Sequence, residues 1–248
     1  MFFSRPPPEL PKITAPTAAE ICAKCNPSPQ ARALLTPDMT PGEYMQALEK
    51  NKLPMDQVNF LSNGLPKQDA VCWACQSTRT TAAKLSGPEM NSLNATEAWL
   101  KNPTPDALAS VQSSLGSVDY TGPGSWTAQA AAWSQAPAAP AAPAAPSLPS
   151  IPGVPATPAV NLTAAAVAGA VMLAAGLNTG PAMPAVPQPK LELPNAPLPP
   201  EMMAKLQQAQ LPTVSADVPA VDQAKLVKPL TPYIDLGKKV ANGSVSCT

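Results

Sequence analysis

Histidine is absent from this chain. That removes His-based nucleophile triads and the commonest proton shuttle at neutral pH. The sixteen acidic residues are scattered, with no paired-carboxylate signature for acid–base work. "GPGSW" at 122–126 lacks the spacing of a nucleophile elbow, and no phosphate-binding P-loop occurs. The expectation is a protein that is not an enzyme. Aromatics at 4% and charged residues at 13% are too few for one core running the whole length of 248 residues. Sixteen basic side chains balance the acids and do not cluster beyond Lys238 and Lys239, so a phosphate-binding face, and with it nucleic acid, is not expected. "MFFSRPPPELPK" places Arg5 and three prolines where a secretory peptide carries its apolar stretch, so Sec-type export is not expected either. No run alternates apolar and polar residues with β-branched enrichment long enough to argue a strand.

What is present is a set of helix start signals between residues 14 and 134. "TAAE" at 17–20 and "TPGE" at 40–43 match the capping box, in which a Thr hydroxyl and a Glu carboxylate satisfy free amides at a helix start. "TPDALASVQSSLG" at 104–116 offers Thr104 as cap, Pro105 at the first helical position, Asp106 favourable to the dipole and Gly116 as the stop. Comparable signals bound 28–35, 54–64, 66–81, 87–102 and 125–134. Trp73, Trp99, Trp126 and Trp133 fall within these segments, where tryptophan most often packs a core. The class is all-α: a bundle of short helices over 14–134, preceded by an extended arm over 1–13.

Proline then takes over. The chain has 35 prolines, and those at 137, 140, 143, 146, 149, 152, 155 and 158 fall at every third position. Polyproline II has three residues per turn, so this spacing lays the rings along one edge. Residues 135–160 read as a semi-rigid spacer on the order of 65–70 Å long at about 3.1 Å per residue. "NLTAAAVAGAVMLAAGLN" at 161–178 reads as an apolar helix. Its uncharged core, Leu162 to Leu177, is about 24 Å long, against roughly 30 Å of hydrocarbon in a bilayer. Burial in the bundle or in a partner's groove is expected over a membrane span, though anchoring through 161–178 stays as an alternative. The residues expected to bind a partner are Leu162, Val167, Val171, Met172, Leu173 and Leu177. Residues 179–248 read as an extended Pro-rich tail with one short helix near 199–210, unable to offset its chain entropy alone.

Five cysteines include two pairs of C-x-x-C spacing, Cys22 with Cys25 and Cys72 with Cys75. Four-cysteine zinc sites use two such pairs, so these residues are a candidate metal site and zinc the one candidate cofactor. The competing reading is core packing, because "AVCWAC" at 70–75 is apolar on every side and free cysteine is among the most buried residue types. A thioredoxin-like pair belongs beside a βαβ unit, and no strands are expected here. An odd cysteine count without a dense framework reads as a reduced compartment, which places the chain in the cytoplasm.

Several stretches resemble, in order, an uncharacterised bacterial all-helical domain family often encoded among type VI secretion genes. They are "FLSNGLPKQDAVCWACQSTR" at 60–79, "TEAWLKNPTPDALASV" at 96–111, "SWTAQAAAWS" at 125–134 and a proline and alanine stretch leading to "AAAVAGAVMLAAG". The likeness covers 40–177. It implies no active-site residues, and it implies that the place of Cys72 is freely aromatic or aliphatic. The expected function is a non-catalytic adaptor or structural component of a bacterial secretion or contractile injection apparatus. Its partners would be other proteins of that assembly, bound through the apolar helix and tail. A zinc-dependent folding module and a membrane-anchored accessory protein are the alternatives.

Overall fold

The computed structural model describes residues 6–135, 161–177 and 222–247. Apart from Asp222, these belong to one compact unit. Ten α-helices and two short 3₁₀ turns occur among them, and no strand, so the fold is all-α as expected. In chain order they are α1 (Ala18–Cys22), α2 (Pro29–Ala33), α3 (Pro41–Lys50), α4 (Pro54–Gly64) and α5 (Lys67–Arg79). α6 (Gly87–Lys101), α7 (Pro105–Ser114), α8 (Pro123–Ser134), α9 (Leu162–Ala174) and α10 (Gln223–Ala241) complete the set.

Local chemistry accounts for most of the starts. At α3 the Thr40 hydroxyl accepts from the Glu43 amide at 3.3 Å while the Glu43 carboxylate accepts from the Thr40 amide at 2.9 Å, a complete capping box. Ser28, Ser86 and Thr104 cap α2, α6 and α7, each with Pro in the first turn, where its missing N–H costs nothing. The box expected at 17–20 does not form: Thr17 makes no capping hydrogen bond, and α1 is a single five-residue turn. The stop expected at Gly116 comes slightly earlier, with α7 running into a 3₁₀ turn over Leu115–Ser117.

α5 lies at the centre. Every residue from Ala70 to Cys75 is buried, because α6, α8, α9 and α10 all pack on it. Trp73 is fully covered, with Phe60 and Leu61 of α4 and Leu230 of α10 equally inaccessible. Small residues allow close approach: a Cβ on Gly169 of α9 would lie 2.9 Å from the Trp126 ring of α8. Gly169 thus faces the first turn of α8. The residues Gly122 and Pro123 at the start of α8 also share a cleft with Leu173–Gly176 at the end of α9, so the two helices run antiparallel.

Two expectations are corrected here. The apolar helix does not await a partner; α9 is an interior element, packed on α4, α5 and α8 of its own chain. The tail is not extended throughout, since 223–241 forms the 19-residue α10. Pro229 and Pro232 lie inside it and each removes an intrahelical bond, which is why no helix is expected from the sequence. Tertiary packing supplies what propensity withholds. Leu230, Ile234, Gly237, Val240 and Ala241 form one buried stripe, while Pro232 faces outward. The N-terminal arm is likewise docked: Leu10 and Ile13 are buried, and the Lys12 amide donates to the Ala241 carbonyl at the end of α10. All but the first residue of the proline spacer expected over 135–160, and the short helix near 199–210, lie outside the described residues.

Candidate functional site

The four candidate zinc ligands are not brought together. Cys72 is joined by a disulfide to Cys247, across a sequence separation of 175, while Cys22, Cys25 and Cys75 are free and buried. Among the described residues no three Cys, Asp or Glu side chains are arranged to hold a metal ion. A sulfur already bonded to carbon and sulfur is no thiolate donor, so the four-cysteine zinc site is withdrawn. The reading of the cysteines as a reduced set is withdrawn with it. Sequence reasoning passed over Cys247, which lies outside both C-x-x-C pairs and 175 residues from its partner, where no local signal reaches.

The disulfide clasps the C-terminal segment onto α5. Gly243, at φ +81°, turns the chain off α10, and Cys247 reaches Cys72 with a Cα–Cα distance of 5.7 Å. The clasp is one of several ties. The Trp73 indole donates to the Tyr233 carbonyl at 2.8 Å, and the Tyr233 hydroxyl donates to the Ala174 carbonyl at 2.7 Å. At the other end of α10, Gln223 donates to the Asp56 carboxylate at 2.8 Å. Cys75, one turn along α5 from Cys72, is wholly buried, and burial pushes its thiol well above the usual range. It is an inert packing residue.

Cys22 and Cys25 form a different environment. Cys22 ends α1, and the Cys25 amide donates to the Ile21 carbonyl at 3.2 Å, so both thiols project from one continuous turn. They hydrogen-bond to one another: the bond from Cys25 pulls the Cys22 thiol down, and the same bond together with burial pushes Cys25 up. The Tyr44 hydroxyl, which donates to the Ala31 carbonyl at 2.9 Å, lies against Cys22. Asp56 stands nearby with its carboxylate engaged by Ser28 and Gln223.

The expected partner-binding residues are mostly inside. Val167 and Val171 are fully covered, and Met172 is buried. Leu173 and Leu177 are half-buried, and Leu162 alone is exposed, at 40%. No helix among the described residues is long and apolar enough to cross a membrane.

A cleft of about 610 Å³ opens where the end of α5, the starts of α6 and α8, and the end of α9 converge; Thr80, Lys84, Glu89, Leu173 and Tyr233 are among its walls. Glu89 is its unusual member. Only 4% exposed, it accepts from the Ser125 amide at 2.8 Å and so caps α8 from a neighbouring helix, with Oε1 unpartnered among the described residues. Gly122 and Gly124 make room for it: a Cβ on either would lie 2.7 Å from its Oε2, and on Gly124 only 2.3 Å from its backbone oxygen.

The molecule these features define is a closed helical bundle, stapled from α5 to its C-terminal segment. Its chain belongs to a family of unknown function (DUF6931), whose model matches residues 44–188. The matched span holds α4–α9 but leaves out α1, α2 and α10, so the clasp ties a residue of the family region to one beyond it. Neither a curated protein nor a solved structure matches the chain.

Proposed function

We propose that the protein is a non-catalytic adaptor or structural component of a bacterial secretion or contractile injection apparatus, binding partner proteins through its proline-rich segments. The observation that carries this reading is the relation of α8 to α9. They pack directly and antiparallel, a geometry that a connection of a few residues closes. The chain instead runs from 136 to 160 between them, well past the roughly 12–15 residues beyond which a connection is usually functional. Eight prolines at threefold spacing fill that stretch. A polyproline edge loses little entropy on docking and suits an aromatic-lined groove. The same logic applies to 178–221, which joins α9 to α10.

The role of partner anchor thus moves from α9, which the bundle uses itself, to the segments that connect packed helices. Resemblance to a family encoded among type VI secretion genes supplies the class of partner. The cytoplasmic placement expected from the sequence loses the support of the cysteines, because disulfides persist in oxidising environments. Acid-quenched thiol trapping of Cys72 in cells decides between the two compartments.

The test is affinity capture of the full chain from cells expressing the secretion apparatus. It is compared with a chain in which the eight prolines at 137–158 are replaced by Gly and Ser at unchanged length. Capture of an apparatus component by the first and not the second, at equal helicity, supports the reading. Equal capture by both excludes the proline edge as the binding element.

A further inference from the structure

We propose that Cys22 and Cys25 form a thiol–disulfide exchange site that reacts with a small-molecule disulfide of the glutathione class, independently of the Cys72–Cys247 clasp. The pair has what exchange requires and what the other free cysteine lacks. The two thiols sit three residues apart on one turn, already in hydrogen-bond contact, so closing a bond between them needs no movement of a separate element. Each retains 7% exposure, whereas Cys75 retains 1%. At that exposure neither sulfur can meet the flat face of a folded protein, so the reagent is a small one.

Their roles are unequal. Cys22 is stabilised as the thiolate by the Cys25 hydrogen bond, which makes it the attacking sulfur. Cys25, held as the thiol by its bond to Cys22 and by burial, is the resolving one. In the first step the Cys22 sulfur attacks one sulfur of oxidised glutathione. A Cys22–glutathione bond forms, the glutathione disulfide breaks, and the departing thiolate takes up the proton given by Cys22. In the second step the Cys25 sulfur attacks Cys22, releasing the second glutathione with the Cys25 proton. The dithiol is oxidised by two electrons to a Cys22–Cys25 disulfide, and one glutathione disulfide is reduced to two thiols. The Asp56 carboxylate is engaged by the Ser28 amide, the Ser28 hydroxyl and Gln223, and has no part in this scheme.

The experiment equilibrates the full chain, clasp intact, in a series of reduced-to-oxidised glutathione ratios. After acid quenching and alkylation, the peptide carrying both cysteines is weighed by mass spectrometry. The expected result is reversible interconversion between a doubly alkylated dithiol and a species lighter by two hydrogens with no alkyl groups. Cys25→Ser is expected to accumulate a glutathione adduct on Cys22, at least several-fold more than Cys22→Ser accumulates on Cys25. Circular dichroism of each variant, recorded before the quench, reports that it is folded. A pair that stays a dithiol across ratios that keep Cys72–Cys247 closed overturns the proposal. Equal adduct yields in the two folded variants overturn the assignment of Cys22 as attacking sulfur.

Discussion

The indole N–H of Trp73 donates to the backbone carbonyl of Tyr233 at 2.8 Å, joining the centre of α5 to α10 over a sequence separation of 160. Gly237, one turn beyond Tyr233, completes the seat: a Cβ there would meet the Trp73 ring at 2.7 Å and Leu61 at 3.1 Å. Two opposed effects bear on Gly237→Ala. Alanine is the better helix former by about 1 kcal/mol, whereas overpacking a filled core costs about 1–3 kcal/mol. The clash wins, because the neighbour is a fully buried indole with no free rotamer. Gly237→Ala should lower the urea midpoint, while Gly87→Ala, with nothing within 4 Å of its Cβ, should leave it unchanged or slightly raised. A stabilised Gly237→Ala would show that α10 does not sit on Trp73.

Opening the clasp should destabilise α10 ahead of the rest. The disulfide closes a loop with a separation of 175, so the entropic stabilisation lies toward the upper part of the usual range, about 2–5 kcal/mol. Cys247→Ser is expected to lose that much by chemical denaturation and to speed amide exchange in α10 more than in α5. Equal acceleration in both helices would mean that the clasp stabilises the bundle as a whole, without a special claim on α10.

Glu89 separates a cap from a charge. Its Oε2 holds the Ser125 amide at the start of α8, while Oε1 has no partner among the described residues. Glu89→Ala leaves that amide unsatisfied and opens a void, with an expected loss of about 1–3 kcal/mol. Glu89→Gln keeps an acceptor for Ser125 and removes a buried charge, and it should lose much less. Thermal unfolding followed by circular dichroism distinguishes them, and a Gln variant as unstable as the Ala variant would refute the capping role.

The capping box at α3 gives the chain a pH-dependent element. The backbone bond from Thr40, with help from its hydroxyl, holds the Glu43 carboxyl below the ordinary carboxylate range. A group whose folded pKa is depressed contributes stability above its unfolded value, about 4.3, and that contribution fades as pH falls through the folded value. The difference in urea midpoint between the wild type and Glu43→Ala should therefore be constant near neutrality and narrow below about pH 4.3. A gap independent of pH would place the effect in helix propensity.

The helices that were legible in the sequence are those specified by neighbours in the chain. Thr40 with Glu43, and Thr104 with Pro105, act over three or four residues, and the same signals produce the same caps in the folded molecule. Six buried residues in a row from Ala70 to Cys75 were legible for a related reason: a helix without a polar face has nowhere to go but the interior. That rule says nothing about whose interior, which is why α9 was equally consistent with a partner's groove and with its own bundle. α10 was illegible because Pro229 and Pro232 argue locally against a helix, and what overrides them is a stripe from Leu230 to Ala241 meeting Trp73.

The sequence by itself determined the all-helical class, the apolar character of 70–75, most of the helix starts between 28 and 125 and the threefold proline period, all set by interactions within a few residues. Tertiary structure alone decided that α9 is internal, that α10 exists, and that Cys72 pairs with Cys247 rather than with Cys75 or a metal. Those outcomes depend on which surfaces meet across separations from about forty residues, as between Trp126 and Gly169, to 175, and no local preference carries that information.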